Sequence, residues 1–207
     1  MKKLKVTIIG YGGMGSFHAK LIQANPEVEV HGIFDILESR QQAGEADGYS
    51  AYVSLEEALD DACADTILIA TPNDVHKEIA VQALEAGKHV ICEKPVTLTS
   101  EELSEIMNTA EEQGRVFMVH QNRRWDSDFQ MVKDLYENRK IGEVFHIESR
   151  VQGANGIPGD WRHLKAHGGG MLLDWGIHLL DQIIWMVDSP LKAIEADFST
   201  ILGEECD

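Results

Sequence analysis

Two short segments carry side chains that suit proton transfer. In residues 93–95 (EKP), a lysine stands one residue past an apolar run that predicts a buried strand. In a predicted helix further on, Asp174, His178 and Asp181 are spaced so that they share one face. A histidine supported by a carboxylate can remove a hydroxyl proton, and a lysine can stabilise the developing alkoxide. The two segments therefore predict acid–base chemistry on an alcohol.

Structural roles remain open for both segments. Glu93 and Lys94 can form an ion pair at a loop, and His178 can hydrogen-bond Asp174 in a local network. His163 and His167 lie just upstream and raise a metal interpretation, which the absence of an HExxH pattern disfavours. We therefore expect no metal.

A glycine-rich turn near the N-terminus indicates which ligand the chain binds. Gly10 permits a tight turn, Gly12 lets the backbone approach a pyrophosphate, and Gly15 allows close packing of helix on strand. The next predicted strand, residues 27–35, ends at Asp35, whose carboxylate can accept both ribose hydroxyls and would repel a 2′-phosphate. This order of elements predicts a dinucleotide-binding site.

The elements that must position these residues change in character near residue 122. Before it, strands and helices alternate, which predicts an α/β fold with a doubly wound parallel (Rossmann) sheet in a dinucleotide-binding domain at residues 1–122. Residues 123–207 predict an incomplete α+β domain for substrate binding and oligomerisation. Its predicted elements are a helix over 125–140, a strand over 142–153, a helix over 171–187 and a strand over 191–202.

Composition disfavours several partners. A net charge of −17 argues against nucleic acid and anionic membranes, which need a basic surface. The cysteines, Cys63, Cys92 and Cys206, are widely spaced without a CxxC pair, which indicates a reducing cytoplasm without disulfides or structural zinc. We see no export signal and no apolar span long enough for a membrane helix.

Four motifs together resemble the Gfo/Idh/MocA family of nicotinamide-dependent sugar and cyclitol oxidoreductases. They are GYGGMG (10–15) with Asp35, TPNxxH (71–76), EKP (93–95) and GGGxLxDxGxHxxD (168–181), and the resemblance covers essentially the whole chain. It implies hydride transfer between NAD(H) and a secondary alcohol of a small-molecule sugar, polyol or cyclitol.

The resemblance also implies roles for individual residues. Lys94, Asp174 and His178 match the family's catalytic residues. Arg40 follows Asp35 closely and either accommodates a 2′-phosphate or stacks on adenine, so the choice between NAD and NADP stays open. Besides Arg40, the implied cofactor-binding positions are Gly10, Gly12, Gly13, Met14, Gly15, Asp35, Thr71, Asn73, His76, Glu93, Lys94, Gln121, Trp161 and Arg162.

Family members are considerably longer than this chain, so we expect it to be C-terminally truncated or to have its sheet edge covered by another chain. The resemblance implies a homo-oligomer for a full-length parent. Two other functions stay open: an NAD(H)-binding module without catalysis, and an NAD-dependent glycoside hydrolase. The sequence does not indicate which sugar or cyclitol is the substrate.

Overall fold

A computed structural model of the chain describes residues 3–153, 159–200 and 205–207. The chain folds into two compact units, Met1–His120 and Gln121–Asp207. Each unit is described by itself below.

The first unit is built on a sheet of five parallel strands in the order β2-β1-β3-β4-β5. This confirms the predicted Rossmann-type parallel sheet. Because the chain steps outward from β1 in both directions, the switch point lies between β1 and β3, where such sheets bind ligands at their carboxyl ends. The strands are β1 (Leu4–Ile9), β2 (Val28–Phe34), β3 (Thr66–Ile69), β4 (His89–Cys92) and β5 (Phe117–Val119).

Helices cover the sheet, and their starts follow local capping chemistry. Thr99 and Glu102 form a reciprocal capping box, and the Ser54 hydroxyl accepts a hydrogen bond from the Glu57 N–H. The helices of this unit are α1 (Gly13–Gln23), α2 (Glu38–Ala46), α3 (Leu55–Asp60), α4 (His76–Glu85) and α5 (Ser100–Glu112).

Apolar side chains fill both faces of the sheet. On β3, Ile67 and Ile69 pack into one cluster, whereas Leu68 packs into the other, as the alternation of a strand requires. Each fully buried aliphatic side chain contributes about 1.5–3 kcal/mol. The core therefore holds the strand ends in fixed positions for the loops that follow them.

The described residues of the second unit form two α-helices, α6 (Ser127–Glu137) and α7 (Ile177–Val187). A π-helical turn, Leu172–Gly176, precedes α7. Helix 171–187 is thus confirmed in extent, but a π turn interrupts the α-helical register on which the shared face of Asp174 and His178 depended. None of the described helices is long and apolar enough to span a membrane.

The two strands predicted for the second unit are wrong for the described residues. Residues 142–153 and 191–200 form no strand, and Phe145 is 99% exposed. A strand is stable only when its backbone groups pair with a neighbour, and neither segment has one here. The last residues of the second predicted strand, 201–202, lie outside the described residues.

Candidate active site

The glycine turn after β1 has room for glycine alone at two positions. Gly10 has φ of +92°, and a Cβ there would lie 2.6 Å from the carbonyl oxygen of Ala70. A Cβ at Gly15 would lie 1.9 Å from the carbonyl oxygen of Gly10. The turn therefore packs directly against α1, as the pattern predicted.

The start of α1 is open to an anion. Gly12 is the N-cap residue of α1, and no side chain caps the first N–H groups of this helix. A Cβ added to Gly13 would meet no atom within 4 Å, and Met14 is half-buried. Free N–H groups and the helix dipole favour negative charge at this position.

Asp35 lies at the end of β2 and is only 3% exposed. Its carboxylate accepts hydrogen bonds from the N–H groups of Tyr11 (2.8 Å) and Leu37 (2.9 Å). The Arg40 guanidinium lies 3.4 Å from the same carboxylate. It also lies beside Gly12, where an added Cβ would meet it at 3.4 Å. The acid predicted to bind ribose is thus held beside the glycine turn, with a partly exposed arginine next to it.

The loop after β3 contains a buried hydroxyl with no protein partner. Among the described residues, no group hydrogen-bonds to Thr71 Oγ1, although that atom is shielded from solvent. Asn73, two residues on, is also buried. A buried unpaired hydroxyl is costly, so its presence at the carboxyl end of a strand favours a bound ligand there.

His76 is fully buried between two loops. Its Nε2 lies 3.0 Å from the carbonyl oxygen of Thr71, and its Nδ1 lies 3.0 Å from that of Pro95. Burial lowers the pKa of this imidazole, so it is neutral near pH 7. His76 thus contacts both loops, and its implied contact with the cofactor stays a prediction.

Glu93 is the centre of a buried cluster with His18 and His120. One oxygen of its carboxylate lies 2.6 Å from His18 Nε2 and 3.1 Å from His120 Nδ1. Burial opposes the charge of Glu93, but the two histidine hydrogen bonds outweigh it and hold the pKa of this carboxyl well below its usual range. Glu93 is thus an ionised, internally paired group.

Sequence reasoning missed His18 and gave no role to His120. His18 lies one helical turn after Gly15, and Gly15 faces the strand, so spacing alone places His18 on the inward face of α1. That spacing was the available signal. What it did not reveal is the partner, because Glu93 is 75 residues away.

We predict that the free energy of unfolding falls less on acidification in Glu93→Gln than in the wild type. The folded-state pKa of Glu93 lies below its ordinary value of 4.5, so its contribution is present above that pH and is lost as pH falls through the folded pKa. Urea unfolding from pH 7 to pH 3 should show a loss about 2 kcal/mol larger for the wild type than for the variant. Glu105→Gln, at an exposed position, is the control; equal acid losses in the wild type and Glu93→Gln would contradict the prediction.

Lys94 follows directly from this cluster. Its backbone N–H donates to the other oxygen of the Glu93 carboxylate, 3.2 Å away, and the residue is half-buried. The start of its side chain is therefore fixed by Glu93 through the backbone.

In the second unit, three residues named by the resemblance contact one another. Arg162 Nε lies 3.5 Å from a carboxylate oxygen of Asp174, and the guanidinium lies 4.6 Å from the ring centroid of Trp161. Asp160 also accepts a hydrogen bond from Arg162. The arginine thus links the Trp161 turn to the π turn that carries Asp174.

His178 is 3% exposed at the start of α7, with the Trp175 ring edge-on at 6.2 Å. The Gln121 side-chain amide donates to the carbonyl oxygen of Ile177, while its own oxygen is buried with no hydrogen-bond partner in the described part of the chain. Gln121 therefore reaches the backbone directly before His178.

Asp181 pairs with an arginine and does not join Asp174 and His178 in the polar face that the sequence predicts. Its carboxylate forms a two-bond ion pair with Arg124, at 2.8 Å and 2.5 Å. This pair joins residues 57 positions apart, so no local pattern predicts it. Asp181 therefore ties the turn after residue 121 to α7 rather than assisting His178.

Two clusters of three or more metal-ligand side chains occur among the residues that the structure describes. They are His18, Glu93 and His120, and His31, Asp61 and Cys63. Neither includes His163 or His167, which the sequence raised as an alternative.

Comparison with known proteins gives two family matches that cover most of the chain. Residues 4–121 match the GFO_IDH_MocA oxidoreductase family with an NAD-binding Rossmann fold, and residues 129–207 match the GFO/IDH/MocA C-terminal domain.

Individual relatives are similar over almost all of this chain but are longer than it. The crystal structure of an NAD-binding protein from Listeria innocua has a TM-score of 0.97 at 59% identity, covering 100% of this chain and 61% of that one. The scyllo-inositol 2-dehydrogenase (NADP(+)) IolW of Bacillus subtilis is 33% identical over 94% of this chain and 54% of its own. The D-glucoside 3-dehydrogenase of Escherichia coli is 32% identical, covering 98% and 59%. The chain thus spans little more than half the length of these curated relatives.

Proposed function

Because the chain belongs to the Gfo/Idh/MocA oxidoreductase family, we propose that it transfers hydride between NAD(H) and a secondary alcohol of a sugar, polyol or cyclitol. The observation that carries the proposal is the glycine turn, which has no room for a Cβ at Gly10 or Gly15 and whose Tyr11 donates its N–H to the buried Asp35 carboxylate. Relatives named as inositol and glucoside dehydrogenases support the substrate class. We assign most of the cofactor contacts to residues 1–122 and the substrate to residues 123–207.

The side chains of the first unit fit a dinucleotide. The open N–H groups at Gly12, Gly13 and Met14 suit the pyrophosphate, and the Asp35 carboxylate suits the ribose hydroxyls. The unpaired Thr71 hydroxyl is a donor or acceptor for the nicotinamide half. Asn73 of the first unit is a further proposed contact, and Gln121, Trp161 and Arg162 are proposed contacts from the second unit.

NAD supplies the hydride acceptor when it is bound. In the proposed oxidation, an imidazole nitrogen of His178 removes the substrate hydroxyl proton, and Asp174 stabilises the resulting imidazolium. The Lys94 ammonium donates a hydrogen bond to the substrate oxygen as its negative charge develops. Arg162, which pairs with Asp174, orients that carboxylate.

We predict that NADH binds at least about tenfold more tightly than NADPH, because the Asp35 carboxylate repels a 2′-phosphate. Fluorescence titration of the purified chain with each nucleotide measures this. Asp35→Asn, which removes the charge at constant size, should reverse the preference, with Arg40 then pairing the phosphate. Asp47→Asn removes a carboxylate of the same unit that contacts the Tyr11 hydroxyl, and it is the control.

The outcomes of this titration separate the alternatives. Tighter binding of NADPH would overturn the role of Asp35, and failure to bind either nucleotide would overturn the proposed function of this chain. Saturable NADH binding should be followed by an oxidation screen over inositols, glucosides and polyols. Binding without turnover of any of them would favour a cofactor-binding module, and product without net NADH would favour glycoside hydrolysis.

A further inference from the structure

A second cluster of donor side chains contains none of the residues proposed to bind the dinucleotide. His31 lies in the middle of β2, and Asp61 and Cys63 lie before the start of β3, whereas the proposed dinucleotide residues of the first unit lie in the loops after the strands. One ligand atom from each of the three side chains lies within 4.8 Å of the others.

Neighbouring groups hold this cluster in place. The Tyr52 hydroxyl donates to the Asp61 carboxylate at 2.6 Å, and the Cys63 N–H donates to its other oxygen at 2.7 Å. The buried Lys88 ammonium donates to the backbone carbonyls of Asp61 and Ala64. Outer contacts of this kind orient the ligands of metal sites.

The donor set is a nitrogen, an oxygen and a sulfur, which suits zinc and excludes the hard cations magnesium and calcium. We propose that His31, Asp61 and Cys63 bind a Zn²⁺ ion, with water as the fourth ligand. On binding, the Cys63 thiol releases its proton to solvent. The His31 proton moves to Nδ1, so that Nε2, now 3.0 Å from Asp61, coordinates the ion.

Exposure distinguishes this cluster from the one around Glu93. Cys63 is exposed and His31 and Asp61 are partly exposed, so an ion can enter and keep a water ligand. His18 and Glu93 are buried, and both histidines of that cluster point to a single carboxylate oxygen of the proposed active site. His31 is far from Asp61 and Cys63 in the sequence, so the three residues match neither a CxxC nor an HExxH pattern.

Cobalt(II) titration of the full chain tests the proposal, because a cobalt–thiolate bond gives an ultraviolet charge-transfer band. We expect the band to saturate at one equivalent of Co²⁺ and to disappear when Zn²⁺ is added. Cys63→Ser should abolish the band and weaken Zn²⁺ binding by more than about 100-fold, since even outer-shell losses cost 10–100-fold. Cys206→Ser, at a buried cysteine elsewhere, should keep both.

Two further variants test the geometry. His31→Gln retains a hydrogen bond to Asp61 and should lose the metal, whereas Tyr52→Phe should weaken binding by about 10–100-fold. Unchanged NADH binding shows that each variant is folded. A band that survives in Cys63→Ser, or Zn²⁺ affinity equal in the wild type and that variant, overturns the proposal.

Discussion

Lys94→Ala is expected to lower kcat for alcohol oxidation by about 10²–10⁴-fold, the usual range for loss of a proton-transfer or alkoxide-stabilising group. The loss should fall on turnover more than on NADH affinity. The hydrogen bond from Lys94 to Glu93 uses the backbone N–H, so truncation of the Lys94 side chain keeps that bond. Steady-state kinetics on a substrate from the oxidation screen, together with NADH titration, measure both quantities.

Lys77→Ala is the matched control for Lys94→Ala. Lys77 pairs with Glu105 on the helical surface of the same unit, 2.7 Å away, and we expect its removal to leave turnover unchanged. Full turnover in Lys94→Ala would remove Lys94 from the mechanism. An equal fall in NADH affinity and in kcat/KM would instead make it a cofactor ligand.

Gly15→Ala is expected to destabilise the first unit by about 3 kcal/mol or more and to abolish NADH binding. The new Cβ would lie 1.9 Å from the Gly10 carbonyl oxygen, which is backbone and cannot rotate away. Either α1 or the glycine turn must therefore move, and the open N–H groups move with it. Urea unfolding and NADH titration are the two measurements.

Gly13→Ala, two residues earlier in the same helix, is the control for stability. A Cβ there meets nothing within 4 Å, and alanine is a better helix former than glycine. Its unfolding free energy should be unchanged or higher by less than about 1 kcal/mol. If the two alanine variants lost the same stability, close packing at Gly15 would not be the cause.

Local patterns were sufficient to predict the dinucleotide part of the molecule. The spacing of Gly10 and Gly15 and the β-branched runs predicted a strand, a tight turn and a helix, and all three are present. The Thr99–Glu102 capping box is a pattern of the same local kind, because its two partners are three positions apart. Such features depend on neighbours in the chain and therefore can be recognised without the fold.

Features that depend on distant partners could not be predicted. The Arg124–Asp181 pair and the Glu93 cluster join residues that only the fold brings together. The strand predicted around Phe145 has suitable side chains, but its backbone has no neighbour to pair with here. The π turn before His178 could not be predicted either, because the spacing of apolar residues in a helix does not reveal a single widened turn.

His76 can donate a hydrogen bond to only one of the two loops that it contacts. A neutral imidazole has a single N–H, yet both of its nitrogens face carbonyl oxygens, those of Thr71 and Pro95. Only one of these loops can accept a hydrogen bond from it at any moment. The tautomer of one ring therefore decides whether the segment of Asn73 or the segment of Lys94 is more firmly anchored.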